Sequence, residues 1–145
     1  MSEDSLKLEN QLCFPLYVCS KEIIRKYKTY LDKYDLTYTQ YITMMVLWEE
    51  KKINVKELGE KLFLDSGTLT PLLKKLEQKG YIERKRSEND ERNLFIIPTN
   101  QGMGLKTKLK SVPECVGGCI NITQEEALEL YKTLYKILGG FKEGK

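Results

Sequence analysis

The chain has 145 residues, of which 41% are hydrophobic and 31% charged, and its formal net charge is +3. This length and composition are typical of one globular domain with its own core, and the small positive charge permits nucleic-acid binding without arguing for it. The sequence contains no histidine, which excludes His-based catalytic triads and the usual imidazole metal sites. With no apolar run of membrane-spanning length and a polar, acidic start unlike a signal peptide, we expect a cytoplasmic protein.

Hydrophobic periodicity predicts a first helix over residues 5–33, where side chains of one face recur with a 4-3-4-3-4 spacing. Pro15 falls inside this helix, so it should remove one backbone hydrogen bond and kink the chain. A second, strongly apolar helix should begin near Leu36, with Thr37 or Thr39 as its N-cap.

A short helix, a tight turn and another helix are predicted next. Asn54 can cap the short helix, and Asp65 or Ser66 can cap the following one, which carries a stripe of leucines. Gly80 is a suitable C-terminal stop for that helix. Pro71 lies later than the favoured first-turn position, so it should strain the start of the helix.

A charged β-hairpin should follow, with strands at Tyr81–Lys85 and Asn93–Ile97 around a polar loop at Ser87–Arg92. Helix, turn, helix and hairpin in this order are the plan of a winged helix-turn-helix, which places its second helix in the DNA major groove. We therefore predict a mainly α fold with a small β wing (α+β), in which residues 36–99 form the winged helix-turn-helix lobe.

Two more helices should close the chain. Thr99 can cap a helix over roughly residues 100–112, and Pro113 with Gly117-Gly118 should form a break. The segment that begins at Thr123 has the pattern of a capping box and opens a last helix with an apolar stripe.

The second helix of the lobe is the candidate DNA-reading helix. Small hydroxyl side chains at its start can approach base edges and phosphates, and lysines follow them; the candidate contacts are Ser66, Thr68, Thr70, Lys74 and Lys75. The alternative is an ordinary amphipathic core helix with a solvated lysine face.

The hairpin segment at residues 83–92 contains four basic and four acidic residues, so it is not a simple phosphate-binding patch. Arg84 and Arg86 are candidate DNA contacts. Arg92, held by Asp90, is the candidate for insertion into the narrow minor groove, where the negative potential is highest. The alternative is a solvated charged turn.

Taken together, these segments resemble the MarR family of repressors. Asp90-x-Arg92 and the helix start at Pro98-Thr99 resemble the family's wing, and LDSGTLTPLLKKLEQKG resembles its recognition helix. The segments LENQLCFPLY, LTYTQY and LDSGTLTPLLK are most similar to the organic-hydroperoxide repressors, the OhrR group, and their staphylococcal relatives. The resemblance covers nearly the whole chain.

The resemblance implies one MarR-type domain, residues 1–145, that forms a homodimer through terminal segments 5–33 and 100–142. Each protomer would present one winged helix-turn-helix to half of a palindromic double-stranded operator, with half-sites about 10 bp apart. An isologous dimer would also bury the apolar stripes at both chain ends.

Cys13 is the candidate redox sensor, because a peroxide-reactive cysteine needs thiolate character, access and donors that stabilise the anion. Tyrosine hydroxyls can donate to a thiolate, and Tyr17 and Tyr27 lie on the Cys13 face of the predicted helix. Tyr27 is ~21 Å along that helix, so it would act from the other subunit, and Tyr38 is the third candidate. The resemblance implies a reactive cysteine in the LCF motif paired with Tyr27 and Tyr38. The alternative is a buried cysteine in a tyrosine-rich core.

Three further cysteines lie outside this motif. In the two-cysteine branch of the resembling group, a cysteine near Cys115 and Cys119 resolves the oxidised sensor across the dimer interface, and both remain candidates. Cys19 falls off the Cys13 face and is expected to pack. A zinc site built from all four cysteines is arithmetically possible, although in a reducing cytosol they should rest as thiols.

We therefore predict a repressor, not an enzyme, with no cofactor, no metal and no membrane partner. Peroxide or a similar oxidant converts Cys13 to a sulfenic acid, an intersubunit disulfide forms, and the two recognition helices lose their ~34 Å spacing. The alternatives are release by a phenolic ligand, a one-cysteine sulfenate sensor, a zinc-tuned regulator and a thiol peroxidase. The peroxidase is disfavoured because the βαβ pattern and CxxC motif are missing.

Overall fold

The computed structural model describes residues 4–90 and 93–143. It is mainly helical with one three-stranded antiparallel sheet, as predicted. The elements in chain order are α1 (Cys13–Leu31), α2 (Tyr38–Glu50), β1 (Ile53–Asn54), α3 (Val55–Leu62), α4 (Ser66–Gln78), β2 (Ile82–Arg86), β3 (Leu94–Pro98), α5 (Asn100–Lys108), α6 (Val112–Gly117) and α7 (Gln124–Glu143). The chain divides into two compact units, Met1–Pro113 and Glu114–Lys145, and the single-domain organisation remains a prediction.

Helix α1 begins at Cys13, so the predicted start at residue 5 was wrong. Two 3-10 turns, Asp4–Leu6 and Leu8–Asn10, precede it instead. Pro15 consequently lies in the first turn of α1, where a backbone N–H would have no helical acceptor. The expected loss of an interior hydrogen bond, and the kink it would cause, therefore do not arise.

Helix α2 is the central helix of the first unit. Thr37 caps it through a complete capping box, in which the Thr37 hydroxyl accepts from the Gln40 backbone N–H at 3.2 Å. The Gln40 side chain accepts in turn from the Thr37 N–H at 3.1 Å. Farther along α2, the Trp48 indole donates to the carbonyl oxygen of Gly102 in α5 at 2.9 Å, which ties the two helices together across the core.

Helices α3 and α4 form the helix-turn-helix. Asn54 caps α3 and Asp65 caps α4, each accepting a backbone N–H at 2.8 Å. The turn between them is tight, with Phe63 in the left-handed conformation at φ 57°. A Cβ at Gly59 would lie 2.8 Å from the carbonyl oxygen of Leu64, so glycine is required where the turn passes over α3.

The wing is the hairpin of β2 and β3, in register from Ile82 opposite Pro98 to Arg86 opposite Leu94. Its strands begin and end within one residue of the predicted bounds. A third strand, the two-residue β1, pairs with β3 in the order β1-β3-β2. It was not predicted, because two residues are too few to show an alternating pattern.

The C-terminal region departs from prediction at one point. Helix α5 ends at Lys108, and α6 occupies the predicted break, with Pro113 in its first turn. The predicted capping box before α7 is confirmed, since the Thr123 hydroxyl accepts from the Glu126 N–H at 3.1 Å and the Glu126 carboxylate accepts from the Thr123 N–H at 2.9 Å. Within the described residues, every helix is too short or too polar to cross a membrane.

Candidate DNA-binding and cysteine-sensing sites

The start of α4 has an exposed polar surface. Its leucines at positions 69, 72, 73 and 76 are buried, whereas Ser66, Thr68 and Thr70 are exposed on the remaining faces. The Thr68 N–H holds the pKa of the capping carboxylate of Asp65 below its usual range. The Thr68 side chain also hydrogen-bonds to this carboxylate. The cap therefore stays charged and keeps the first turn in place.

Lys74 and Lys75 are also exposed on α4. Exposed ammonium groups on a helix whose opposite face is buried are well placed to meet phosphates. The contact of these two lysines with DNA remains a prediction. The arrangement it requires, an apolar stripe inside and a polar, basic face outside, is present.

Arg84 has a partner within the protein. Its Nε donates to Glu77 Oε1 at 3.0 Å, its Nη2 lies 2.9 Å from the same oxygen, and its backbone N–H donates to Oε2 at 3.3 Å. These contacts lower the pKa of Glu77. Arg84 thus joins the base of the wing to α4, and its predicted contact with DNA would have to compete with this pairing.

The wing tip is closed by two backbone hydrogen bonds, from Ser87 N–H to Asn93 O at 2.8 Å and from Asn93 N–H to Asp90 O at 2.9 Å. Arg86 at the end of β2 and Asp90 in the loop are both exposed. The predicted minor-groove residue Arg92 lies outside the described residues, so the pairing of Asp90 with Arg92 remains a prediction.

Cys13 is exposed and is the first residue of α1. Backbone N–H groups of a first turn have no helical acceptors, and the helix dipole places positive potential there, which favours an anion. Its neighbours Leu12 and Phe14 are 75% and 41% exposed. An exposed thiol flanked by uncovered apolar side chains is the arrangement expected where a second protomer completes the site.

Two of the three predicted tyrosines are brought together by the fold. The rings of Tyr27 on α1 and Tyr38 on α2 have centroids 4.9 Å apart. Tyr41, which was not among the predicted thiolate-stabilising residues, completes the cluster at 5.6 Å from Tyr27 and 6.1 Å from Tyr38. The three-residue spacing of Tyr38 and Tyr41 on one helix face was the available signal.

Burial raises the pKa of all three tyrosines, that of Tyr41 to about 12. Their hydroxyls therefore keep their protons at neutral pH and can serve as donors. Tyr17 does not belong to the cluster, because it lies ten residues before Tyr27 on α1 and is 62% exposed. The Lys21 ammonium lies 5.6 Å from the centroid of its ring.

Cys115 and Cys119 both lie in the second unit, and both are exposed. The Cys119 thiol makes a weak contact with the Cys115 carbonyl oxygen at 3.5 Å, which distinguishes neither cysteine as the resolving residue. Cys19 is exposed rather than packed within this chain, contrary to expectation. Among the described residues, no three side chains of the metal-binding types His, Cys, Asp and Glu come together.

Helix α7 presents a broad apolar surface. Its exposed large side chains are Leu128, Leu130, Tyr131, Leu134, Tyr135, Ile137 and Phe141. A helix with this many uncovered apolar residues needs a second surface to bury them.

The chain is similar to known transcriptional regulators. Residues 25–109 match the family model described as Transcriptional regulator SarA/Rot. The chain is 54% identical over 127 residues to the HTH-type transcriptional regulator SarZ of Staphylococcus aureus, covering 88% of this chain and 86% of SarZ. It is 48% identical over 135 residues to the organic hydroperoxide resistance transcriptional regulator of Bacillus subtilis, covering 93% and 92% of the two chains.

The fold is also similar to that of AbfR of Staphylococcus epidermidis. The structure of reduced AbfR bound to DNA has a TM-score of 0.78 and 33% identity, over 97% of this chain and 99% of AbfR. AbfR has also been solved in an overoxidised form bound to DNA and in a disulfide-formed state.

Proposed function

The chain belongs to the SarA/Rot family of MarR-like transcriptional regulators, and we infer from this that it is a homodimeric repressor that binds operator DNA and responds to oxidation. The observation that carries this conclusion is the exposed Cys13 in a chain 48% identical to a regulator of organic hydroperoxide resistance. The DNA-bound and disulfide-formed states of AbfR support the same conclusion. As a repressor, it acts by binding DNA rather than by catalysis. It works in the cytoplasm, where the operator DNA is located.

The oxidation step uses Cys13 as the nucleophile. Its thiolate attacks a peroxide oxygen, an S–O bond forms as the O–O bond breaks, and the departing alkoxide takes a proton to leave as an alcohol. Tyr27 and Tyr38 of the partner subunit donate hydrogen bonds to the thiolate.

The resolving step forms the disulfide. The thiolate of Cys115 or Cys119 of the partner subunit attacks the sulfenic sulfur, and hydroxide leaves and is protonated to water. AbfR has been solved on DNA in both its reduced and its overoxidised forms. We therefore favour the disulfide, rather than an overoxidised cysteine with a negatively charged acid group, as the state that releases DNA.

DNA is held by the exposed face of α4 and by the wing. Ser66, Thr68 and Thr70 lie at the end of α4 that enters the major groove, with Lys74 and Lys75 on the phosphates. The two α4 helices of the dimer must lie about 34 Å apart to reach successive major grooves. A shift between the subunits on disulfide formation breaks this spacing and lowers affinity for the operator.

Operator binding before and after oxidation tests this function. Fluorescence anisotropy with a labelled operator should show tight binding by the reduced protein, release on adding cumene hydroperoxide and recovery with dithiothreitol. Cys13→Ser should bind the operator and ignore the peroxide, whereas Cys19→Ser, a matched control on the same helix, should respond like the wild type.

Non-reducing electrophoresis of the oxidised proteins identifies the resolving residue. A covalent dimer should form in the wild type and vanish in Cys13→Ser and in one of Cys115→Ser and Cys119→Ser. If Cys13→Ser still released DNA with peroxide, Cys13 would not be the sensor. Release of DNA from that variant by a phenol such as salicylate would indicate a ligand-responsive repressor instead.

A further inference from the structure

Lys79, the lysine that follows α4, differs from Lys74 and Lys75 in where its charge lies. Its side chain is only 22% exposed. The ammonium donates to Gln40 Oε1 at 3.0 Å and to the backbone carbonyl oxygen of Asp35, and the Asp35 carboxylate lies 3.6 Å away. An ammonium has three donors, and three oxygens within the protein surround this one.

The acceptor Gln40 belongs to the same helical turn as two members of the tyrosine cluster. Gln40 is 2% exposed, and it lies between Tyr38 and Tyr41 in the first turn of α2. Those two tyrosines contact the ring of Tyr27 on α1, while Gln40 contacts Lys79. One turn of α2 therefore touches both the tyrosine cluster and the C-terminal end of the recognition helix.

A second contact joins the same two regions. The hydroxyl of Tyr81, two residues after Lys79, donates to the carbonyl oxygen of Tyr34 at 3.1 Å, and Tyr81 is 8% exposed. Lys79 and Tyr81, which follow α4, thus bind the adjacent carbonyls of Asp35 and Tyr34 in the α1–α2 connection. A hydrogen-bonded connection of this kind can carry a displacement from one element to another.

We propose that Lys79 is a positioning residue that transmits movement of the tyrosine cluster to the recognition helix, and that it does not contact DNA. When oxidation of Cys13 changes the contacts of Tyr27 and Tyr38, the first turn of α2 shifts, and Lys79 carries the end of α4 with it. This proposal rests on the oxidation-sensing function given above. Without the Lys79 contacts, α4 keeps its DNA-binding position when the cluster moves.

The test measures operator affinity of reduced and disulfide-oxidised protein over a range of salt concentrations. Lys79→Met keeps the apolar stem and removes the charge and donors, and Lys75→Met is the matched control with an exposed lysine. We expect Lys79→Met to keep the wild-type salt slope and to lower the ratio of reduced to oxidised operator affinity by at least about 5-fold. Lys75→Met should lower the salt slope by about 1 and leave that ratio unchanged. Lys79→Arg should restore the ratio.

Two results overturn the proposal. A wild-type affinity ratio in Lys79→Met would show that the contacts transmit nothing, and a salt slope lowered by about 1 would make Lys79 a phosphate contact. Should Lys79→Met fail to fold, Tyr81→Phe removes only one hydroxyl from the same connection, and it should reduce the ratio in the same direction. An unchanged ratio in Tyr81→Phe would then count against the proposal.

Failure of the proposed function is recognised separately. If the wild type keeps its operator after oxidation, the oxidation-sensing role is wrong. Hydrogen exchange of the reduced proteins then tests whether Lys79 holds the first turn of α2. The backbone amides of Gln40 and Tyr41 should exchange faster in Lys79→Met than in Lys75→Met. Equal exchange rates in the two variants would overturn the proposed role of Lys79.

Discussion

Substitution of Gly102 by alanine should destabilise the protein strongly, because α5 passes very close to the chain that follows α4. A Cβ at Gly102 would lie 2.1 Å from the carbonyl oxygen of Tyr81 and 3.0 Å from the end of the Met44 side chain. The first contact is with backbone, which cannot move aside by a change of rotamer. The Gly102 carbonyl also accepts the buried Trp48 hydrogen bond at 2.9 Å, so a shift of α5 would strain that bond as well.

The magnitude follows from three contributions. Forcing a methyl group into such a contact costs about 3 kcal/mol, the upper end for overpacking, and weakening the Trp48 hydrogen bond costs about 1 kcal/mol. Alanine is favoured over glycine within a helix by about 1 kcal/mol. The net expectation is a loss of about 3 kcal/mol, which lowers the melting temperature by roughly 10 °C for a chain of this size.

Gly104, in the same helix, is the matched control because nothing lies within 4 Å of the position that an added methyl group would take. Gly104→Ala should leave stability unchanged or raise it by up to about 1 kcal/mol. Unfolding in urea, followed by circular dichroism at one fixed protein concentration, measures both variants, since the stability of a dimer depends on concentration. Equal stability of Gly102→Ala and Gly104→Ala would refute the steric argument.

Three further outcomes are expected. The raised pKa of Tyr41, about 12, means that the folded state holds this proton more tightly than the unfolded state, so the associated stability is present below pH 10 and is lost as the pH rises towards 12; Tyr41→Phe should flatten that loss in alkaline unfolding curves, and an unchanged pH dependence would contradict it. Lys74→Ala should weaken operator binding uniformly and lower the salt slope by about 1; a sequence-dependent loss in anisotropy titrations would instead indicate a base contact. Asp65→Ala should lower the free energy of unfolding by about 1 kcal/mol through loss of the α4 cap, while Asp65→Asn keeps the cap; equal loss in both variants in urea titrations would argue against capping.

Local signals in the sequence were sufficient for most helix starts. Thr37, Asn54, Asp65, Thr99 and Thr123 each accept the backbone N–H that their predicted capping role requires. Capping is decided within four residues of chain, so it can be read without knowing the fold. The same holds for the wing, whose strands and polar loop follow from alternation and turn composition.

The start of α1 shows where local reasoning failed. The helix predicted over residues 5–33 includes a segment that folds as 3-10 turns, and α1 begins only at Cys13. Periodicity indicates a possible helix face, but it takes no account of the free-energy cost of Pro15 in a helix interior. The fold avoids that cost because the helix begins two residues before the proline. The result places Cys13 at a helix terminus.

The order of elements, the winged helix-turn-helix and the candidate sensor could be predicted from the sequence, because these depend on neighbouring residues and on short motifs. The tertiary structure was needed to show that Tyr41 joins Tyr27 and Tyr38, that Arg84 pairs with Glu77, and that the Lys79 ammonium binds Gln40. These contacts link residues on different elements, and their partners depend on how the helices pack. The spacing of residues along the sequence does not predict how the helices pack.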